Sequence, residues 1–393
     1  MAERTGRVVV DHGALRTNYR TTRELAGQRE VIAVVKADGY GHGASAIART
    51  LIAEGCPRLA VFDVHEGCAL REDGISAPVL AMAGAHDSGQ AHLAASLGVA
   101  VVVHDREAMR PLREAARRAG RPFAVQVEVD TGMRRMGVPV EQAPDLIADL
   151  AADPDFRLEG VYTHFACADD EQPDSALEQV RQFRGALARL HDRSVPLGVV
   201  HAANSAALLA DPRLLAALPE ATAVRPGLLL YGARSASHQD PRRRLLPVMS
   251  VRTRVVAVRD VTAGTAIGYG ASFRTSRPTR IATLPIGYAD GVLRVLGGRG
   301  AVWLAGAVRP IVGRVSMDSV TVDCGDAAVA LGDEAIFIGR PDEPDGLPES
   351  APAPVAGFDP GPGIAVEDQA AAAGTLAYEL FVRFGERLPR RHV

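Results

Sequence analysis

Lysine is nearly absent from this chain of 393 residues. Lysine and arginine together number 44, and a single one of them, Lys36, is a lysine. Arginine replaces lysine readily at solvated positions, but its guanidinium group stays protonated and does not form Schiff bases. Because the one remaining lysine stands where arginine could not take over, we predict that its amine reacts covalently with a carbonyl group.

Further polar groups stand where buried strands are predicted to end. A lone histidine or arginine at a strand end is more often structural than catalytic. In this chain, however, five strand ends carry reactive or anion-binding residues. They are Lys36, Arg134, Arg135, His164, Asn204, Ser205, Arg225 and Gly227. If the strands are parallel, their carboxyl ends meet on one face, and the groups converge on one site.

Two of these strand ends could hold a phosphate. Ser205 offers a hydroxyl group and Gly227 a backbone N–H, in the loops after the seventh and eighth apolar runs, where barrel enzymes often bind phosphate. A unique amine on the first strand facing a phosphate cradle indicates pyridoxal 5′-phosphate, bound to Lys36 as a Schiff base.

Eight short apolar runs that could position these groups alternate with longer helical segments in the first 235 residues. The runs are VIAVVK (31–36), LAVFDV (59–64), APVLAMA (77–83), VAVVVH (99–104), FAVQVEV (123–129), LEGVYTHF (158–165), LGVVHAA (197–203) and VRPGLLLYG (224–232). Segments between them, such as REAMRPLREAARRAG, have apolar residues at helical spacing. The pattern predicts an α/β fold with a (β/α)8 barrel. A doubly wound open sheet is the alternative.

The second part of the chain has a different pattern. PRRRLLP (241–247) indicates a solvated junction, and the short β-rich runs after it are separated by glycines, which predicts an antiparallel β domain. We therefore expect a barrel in residues 1–240 and a mostly antiparallel β domain in 241–393. Residues 341–363 contain seven of the 25 prolines and predict a surface segment without secondary structure. The run VEDQAAAAGTLAYELFVRFG predicts one final helix.

Composition excludes several classes of function. A net charge of −3 argues against nucleic acid or an anionic membrane surface as a partner. No apolar run approaches the roughly 18 residues of a membrane helix, and the first residues do not resemble a signal peptide. The cysteines are Cys56, Cys68, Cys167 and Cys324. Without a C-x-x-C pair they predict no metal site and fit reduced thiols in the cytoplasm.

Nine ordered motifs resemble those of alanine racemases over nearly the whole chain. They are AVVKADGYGHG, DTGMRRMG, THFACAD, HAANSAA, VRPGLLLYG, YGASF, GYADG, VGRVSMD and GTLAYEL. The resemblance implies a pyridoxal phosphate enzyme that interconverts L- and D-alanine and supplies D-alanine for peptidoglycan. It also implies a homodimer in which each active site uses both subunits.

The same resemblance implies roles for individual residues. Lys36 matches the Schiff-base lysine and first catalytic base, and Tyr269 matches the second base, which comes from the other subunit. The phosphate-binding positions are Tyr40, Ser205, Gly227, Leu228 and Tyr378. Two opposed bases suit a racemase, because the proton leaves one face of the substrate and returns on the other.

Further matches surround the cofactor and the substrate. His164 matches the residue packed against the pyridine ring, Arg225 the partner of the ring nitrogen, and His201 a residue behind that arginine. Arg135 matches a residue near the substrate carboxylate, which the backbone of Met317 also binds. The remaining matches are Asn204, in the supporting shell, and Tyr288, Arg294 and Asp318, which line the entryway.

One residue departs from the family pattern. Relatives commonly have a lysine, sometimes carbamylated, where this chain has Glu128. A chain with one lysine cannot form that carbamate, so we expect Glu128 to supply a carboxylate directly and to orient Arg135. Whether it reaches Arg135 without a bridging water or anion does not follow from the sequence.

Three other functions remain open. A serine or broad-specificity racemase would carry the same motifs. A non-enzymatic pyridoxal phosphate carrier would lack the β domain that carries Tyr269. A barrel decarboxylase would need a cysteine-bearing motif in its second domain, and Cys324 in TVDCGD is not convincingly that cysteine.

Overall fold

The computed structural model describes residues 5–170, 174–210, 212–235, 245–341 and 355–393. They divide into two compact units. Leu15–Leu230 belongs to the first, which we call the barrel unit, and Leu246–Val393 to the second, which we call the sheet unit. The residues before Leu15 and Tyr231–Ala233 also belong to the sheet unit.

The strands and helices are numbered along the chain. The strands are β1 (Arg7–Val10), β2 (Glu30–Val34), β3 (Arg58–Val61), β4 (Val79–Ala81), β5 (Ala100–Val103), β6 (Phe123–Asp130), β7 (Val138–Pro139), β8 (Phe156–Tyr162), β9 (Val199–His201), β10 (Ala223–Val224), β11 (Met249–Arg254), β12 (Ala257–Val261), β13 (Ala266–Ile267), β14 (Phe273–Arg274), β15 (Thr279–Leu284), β16 (Ala301–Leu304), β17 (Ala307–Val312), β18 (Val320–Gly325), β19 (Glu334–Ile338) and β20 (Arg390–His392). The helical segments are α1 (His12–Ala26), α2 (Lys36–Gly41), α3 (Ala44–Ala53), α4 (Val64–Glu72), α5 (Ser88–Leu97), α6 (Met109–Ala119), α7 (Ala143–Ala152), α8 (Asp174–Asp192), α9 (Ser205–Ala210), α10 (Pro212–Ala216), α11 (Val366–Ala373) and α12 (Ala377–Arg383).

Eight parallel strands close into a barrel. Their order is β2, β3, β4, β5, β6, β8, β9 and β10, and β10 pairs with β2 to complete the ring. Each predicted apolar run overlaps one of these strands, the eighth at Val224 alone, and the closed ring confirms the predicted (β/α)8 barrel and excludes the open sheet. The strands bury valine, leucine and alanine on both faces, as expected where helices cover the outside and side chains fill the centre.

Helices α4 and α5 begin in the same way, each following one of two neighbouring barrel strands. Asp63 caps α4 by accepting from the N–H of Glu66 at 3.0 Å, and Asp87 caps α5 by accepting from the N–H of Gln90 at 2.8 Å. A side-chain oxygen at this position satisfies an N–H group that has no partner within the helix. These caps fix where the chain turns from strand to helix.

The sheet unit contains a nine-stranded sheet in the order β12-β15-β18-β17-β16-β19-β11-β1-β20. All its neighbours are antiparallel except β1 and β20, which confirms the predicted antiparallel character. The unit's single tryptophan, Trp303, packs in a buried cluster with Ile336, Phe358 and Ile364. The short hairpin of β13 and β14 forms a separate two-stranded sheet that packs through Ile267 against Ile281 and Val312 of the large sheet, and it carries Tyr269 between its strands.

Three features differ in detail from the sequence pattern. Strand β1 pairs with β11 and β20, whereas the pattern grouped all residues up to 240 together. The predicted final helix is two helices, α11 and α12, because Gly374 ends the first with a left-handed φ of 71°. Of the proline-rich segment, residues 342–354 lie outside the described residues, as do 241–244 of the predicted junction. The described remainder of the proline-rich segment contributes the buried Phe358.

No helix in the described part of the chain is long and apolar enough to cross a membrane. Among the same residues, no group of three or more histidine, cysteine or acidic side chains could hold a metal ion.

Candidate active site

Lys36 begins a left-handed turn at the end of β2. Ala37, Asp38, Gly39 and Tyr40 all have positive φ values, between 51° and 61°. This conformation costs about 1–2 kcal/mol for each residue other than glycine. Such strain persists only where the surroundings enforce it, and it is concentrated at functional sites. The turn is therefore a specific feature of the strand end that carries the one lysine.

Local hydrogen bonds hold this turn together. The N–H of Gly39 donates to the Val35 carbonyl at 2.9 Å, and the N–H of Gly43 donates to the Asp38 carbonyl at 2.9 Å. The Asp38 carboxylate also accepts from the N–H of Ala44 at 2.8 Å, at the start of α3. The turn is thus joined to the helix that follows it.

The surroundings of Lys36 favour its neutral amine. Burial lowers the pKa of Lys36, the positive charges of Arg135 and Arg225 lower it further, and Glu66 opposes them. The amine nitrogen lies 5.8 Å from the centre of the Phe62 ring. A lysine with a depressed pKa has more of its amine unprotonated and is a better nucleophile at neutral pH.

Arg225 lies at the centre of a buried network. Its Nη1 donates to Nδ1 of His201 at 2.6 Å. Its Nη2 donates to Nδ1 of His164 at 2.9 Å and to the Thr163 carbonyl at 3.2 Å. Because a guanidinium group only donates, both Nδ1 atoms must be unprotonated acceptors.

The two histidines are consequently neutral. His201 carries its proton on Nε2, which donates to Oε1 of Gln126 at 2.8 Å. Burial and the neighbouring Arg225 hold the pKa of His201 well below its usual range. The same two causes lower the pKa of His164 to about 3. Neither ring therefore carries a positive charge near neutral pH.

Tyr162 supports Arg225 from beneath. The guanidinium carbon lies 4.5 Å from the centre of the Tyr162 ring, and that ring stacks on His201 at 4.7 Å. The Tyr162 hydroxyl donates to Oε2 of Glu128 at 3.0 Å. Burial, together with the negative charge of Glu128, raises the pKa of Tyr162 well above its usual value, so the phenol remains a donor.

Glu128 is itself buried, and its carboxylate accepts the hydrogen bond from the Tyr162 hydroxyl. Nδ1 of His104 lies 3.9 Å from its Oε2. In the part of the chain that the structure describes, no ion pair joins Glu128 to Arg135, whose side chain is exposed. The Glu128 carboxylate thus belongs to the Arg225 network through Tyr162. Its predicted orienting effect on Arg135 would have to act by charge, without a hydrogen bond.

A small cradle lies between the seventh and eighth strand ends. Ser205 Oγ accepts from the N–H groups of Gly227 at 2.9 Å and Leu229 at 3.1 Å. A side chain at Gly227 would overlap the Tyr40 hydroxyl. Asn204 accepts from the N–H of Ala207 at 3.0 Å and so caps α9, while Leu228 begins a 3-10 helix at Leu228–Tyr231.

These donors fit pyridoxal phosphate. Two hydroxyl groups and backbone N–H groups suit a phosphate, and the missing side chain at Gly227 lets the Tyr40 hydroxyl approach the backbone there. Within the same unit, the amine of Lys36 and the guanidinium of Arg225 offer partners for a carbonyl and a ring nitrogen.

The remaining predicted residues lie on the sheet unit. Tyr269 stands in a 3-10 turn between Gly268 and Gly270 and is 71% exposed. Tyr288 and Met317 are 43% and 53% exposed. Arg294 begins the 3-10 helix Arg294–Leu296, and Tyr378 lies in the first turn of α12.

Backbone contacts and ion pairs fix this surface. The N–H of Tyr288 donates to the Ser316 carbonyl at 3.0 Å, and the N–H of Ala289 donates to the Met317 carbonyl at 3.0 Å. Arg387 pairs with Asp318 at 2.6 Å and with the buried Asp290 at 3.0 Å. The segments that carry Tyr288 and Met317 are therefore held in a fixed arrangement.

Four residues of the barrel site were not predicted from the sequence. Gln126 and Tyr162 belong to the Arg225 network, and Phe62 and Glu66 lie beside Lys36. Gln126 and Glu128 alternate with valines in FAVQVEV, and polar residues at every second position of a buried strand indicate side chains inside the barrel. Asp63 and Glu66 form a capping pattern, D-x-x-E, but the pattern does not reveal the contact with Ala37.

Comparisons with known proteins agree with this arrangement. The family model described as alanine racemase, N-terminal domain, matches residues 10–235, and the one described as alanine racemase, C-terminal domain, matches 248–392. The alanine racemase of Mycobacterium ulcerans is 43% identical over 342 residues, which cover 84% of this chain and 85% of that protein. The alanine racemase of Mycobacterium leprae is 37% identical, covering 98% and 94%.

Solved structures extend the likeness to the whole fold. The alanine racemase from D-cycloserine-producing Streptomyces lavendulae has a TM-score of 0.88 and 32% identity, covering 100% of this chain and 98% of that one. The alanine racemase of Streptomyces coelicolor A3(2) has a TM-score of 0.86 and 33% identity, covering 99% and 98%. Both units and their order are matched, and this chain belongs to the alanine racemase family.

Proposed function

We propose that this protein interconverts L- and D-alanine with pyridoxal phosphate attached to Lys36. The observation that carries the proposal is the setting of this one lysine, whose pKa is lowered by burial and by Arg135 and Arg225. A lowered pKa has little use for a structural lysine, but it prepares an amine for nucleophilic attack and for proton transfer.

When bound, pyridoxal phosphate supplies a carbonyl that joins to amines and a ring that withdraws electrons from the substrate α-carbon. Lys36 holds or releases a proton at Nζ on one side of that carbon. Tyr269 does the same at its hydroxyl oxygen on the other side. A phenol is a weak acid, so a tyrosine serves as a base only when positive groups surround it.

In this proposal Arg225 would donate to the ring nitrogen and leave it unprotonated. Its other contacts support that role, because neutral His164 and His201 accept from it and Tyr162 lies beneath it. His164 would pack against the ring. A guanidinium group keeps its protons, so Arg225 would transfer none to the ring nitrogen, whereas a carboxylic acid partner could.

The phosphate would be held by Ser205, Tyr40 and the N–H groups at Gly227 and Leu228, with Tyr378 as a further contact. Arg135 and the backbone of Met317 would bind the substrate carboxylate. Tyr288, Arg294 and Asp318 would line the entryway. The cradle between Ser205 and Gly227 is the structural support for the first of these assignments.

We further propose a homodimer in which Tyr269 and Met317 complete the partner's site. Tyr269, Tyr288 and Met317 are all large apolar side chains that remain 43% or more exposed on the sheet unit. Exposed groups of this kind are typical of interaction surfaces. The four free cysteines fit a cytoplasmic location, where the product would serve peptidoglycan synthesis.

Reductive trapping tests the attachment site. A protease that cleaves after lysine should cut the denatured chain once, because there is one lysine. Borohydride treatment of the protein with its bound cofactor should block that cut and add the cofactor's mass to the peptide containing Lys36. A treated sample that is still cleaved at Lys36 would exclude the proposal.

The substrate is tested separately. The purified protein is incubated with each L-amino acid, and the loss of optical rotation is followed. We expect alanine to be racemised fastest. Faster loss with serine, or equal rates with many amino acids, would overturn the assignment of alanine.

A further inference from the structure

Glu66 binds backbone groups from two barrel strand ends. Its Oε1 accepts from the N–H of Ala37 at 2.5 Å. Its Oε2 accepts from the N–H of Phe62 at 2.7 Å and from that of Asp63 at 3.4 Å. Glu66 itself lies in the first turn of α4, so one carboxylate joins the start of a helix to the residue directly after Lys36.

Helix capping explains the hydrogen bonds that Oε2 of Glu66 accepts, but not the bond that Oε1 accepts from Ala37. At the start of α5, Gln90 occupies the equivalent position, and its Oε1 accepts from the N–H of His86 at 2.9 Å. His86 stands one residue before its cap, as Phe62 does in α4. A single oxygen is therefore enough to complete this helix start. The second oxygen of Glu66 is the additional feature, and it is directed to Ala37.

The contact to Ala37 anchors the left-handed turn from outside. The bonds from Gly39, Gly43 and Ala44 all lie within residues 35–44, whereas Glu66 comes from a different strand–helix unit. The same carboxylate also fixes the backbone of Phe62, whose ring lies 5.8 Å from the Lys36 amine. Ala37, which follows Lys36 in the chain, and Phe62, whose ring lies near the amine, are thereby both hydrogen-bonded to Glu66.

We propose that Glu66 is a positioning residue for Lys36, acting through the N–H groups of Ala37 and Phe62. The proposal rests on the proposed function in taking the Lys36 amine as the reacting group. Two separate effects follow. The bridging carboxylate fixes the direction of the amine, and its negative charge stabilises the protonated form against Arg135 and Arg225.

Three variants separate these effects. Glu66→Gln keeps an oxygen for Phe62, as Gln90 does in α5, but turns an amide NH2 group towards the N–H of Ala37 and removes the charge. Glu66→Asp keeps the charge but is too short to reach both N–H groups. Gln90→Ala is the matched control, because it removes the equivalent helix-start bond in α5, which holds His86 rather than Ala37 or Phe62.

The measurement is the rate at which the full-length protein, freed of cofactor, captures pyridoxal phosphate at Lys36. Capture is quenched with borohydride and counted by the mass of the Lys36 peptide, from pH 6 to pH 11. The capture rate reached at high pH, the plateau, depends on how well the Lys36 amine is positioned. The pH at which the rate is half of that value, the midpoint, gives the pKa of the amine. We expect Glu66→Gln to lower the plateau tenfold or more and to move the midpoint to lower pH.

The other two variants make the result specific. Glu66→Asp should lower the plateau with a midpoint near that of the wild type, and Gln90→Ala should leave both unchanged. The midpoint temperature of thermal unfolding should fall no further in Glu66→Gln than in Gln90→Ala. A Glu66→Gln protein that captures the cofactor as fast as the wild type would overturn this proposal. A wild-type protein that captures none at Lys36 would instead overturn the proposed function.

Discussion

At the scale of single residues, the feature that distinguishes the site is a buried cation without a contacting anion. Among the described residues, no carboxylate forms an ion pair with Arg225; two neutral histidines, a carbonyl and an aromatic face surround it. The nearest negative charge in its network is Glu128, on the far side of the Tyr162 hydroxyl. This arrangement depends on both histidines remaining unprotonated.

Protein stability should therefore fall in mild acid. The pKa of His164 is about 3 in the folded protein, against an ordinary value of 6.5. Between these values the unfolded chain binds a proton that the folded chain does not, so the free energy of unfolding decreases as pH falls from 6.5 towards 3. His164→Asn, which keeps an acceptor for Arg225, should reduce this slope by up to about 1.4 kcal/mol per pH unit.

Urea unfolding at a series of pH values from 4 to 8 measures the slope. His191→Asn is the control, because His191 is exposed near the end of α8. The prediction is wrong if the His164 and His191 variants show the same pH dependence.

Glu128 should matter through its charge. In Glu128→Gln the amide oxygen can still accept from Tyr162, but the negative charge that acts on Arg225 is lost. We expect kcat/KM to fall tenfold or more, consistent with the roughly 1–3 kcal/mol of a lost charged interaction. Because Glu128 is a permanent carboxylate, activity should not depend on dissolved carbon dioxide.

Steady-state racemisation rates in carbonate-free and carbonate-containing buffer provide this test. Glu141→Gln, at an exposed position beyond β7, is the control. Unchanged kinetics in Glu128→Gln would show that the carboxylate has no part in the reaction.

At the scale of secondary structure, the sequence predicted the strands better than the turns between them. Each barrel strand is a short apolar run, and burial of such a run on both faces leaves few alternatives. The turn at Ala37–Tyr40 could not be predicted, because alanine, aspartate and tyrosine rarely adopt positive φ values. In addition, the bond that the Ala37 N–H donates to Glu66 spans 29 positions. The pairing of β1 with β11 and β20 could not be predicted either, because both partners lie far along the chain.

The cradle at Gly227 should tolerate no side chain. A Cβ atom there would overlap the Tyr40 hydroxyl, so Gly227→Ala should weaken pyridoxal phosphate binding tenfold or more, as measured by equilibrium dialysis. Gly185→Ala is a matched control within a helix, since a Cβ atom at Gly185 meets no neighbour. Equal affinity in the two variants would show that the phosphate lies elsewhere.

At the scale of the whole molecule, the proposed dimer predicts complementation between two inactive proteins. Lys36→Ala and Tyr269→Phe should each be inactive, since each lacks one base in both sites. In a mixed dimer with shared sites, one site carries both defects and the other carries neither. Random exchange at equal concentrations should then restore about a quarter of wild-type activity, as a symmetric dimer permits.

Activity is measured after subunit exchange has been shown with a tagged chain. A mixture that has exchanged and yet remains inactive would mean that both bases come from one chain. The Gly185→Ala protein, mixed in the same way with the wild type, shows how much activity is lost by the exchange procedure itself.

The place of β1 in the sheet has a consequence for synthesis on the ribosome. This valine-rich strand is synthesised before the barrel, whereas its neighbours β11 and β20 follow the barrel in the chain. The first of them follows roughly 240 residues later, which takes on the order of 10–50 s at about 5–20 residues per second. During that time the three valines of β1 have no strand partner, while the whole barrel is synthesised. Arg7 and Asp11 flank them, and these charges oppose premature association with other nascent chains.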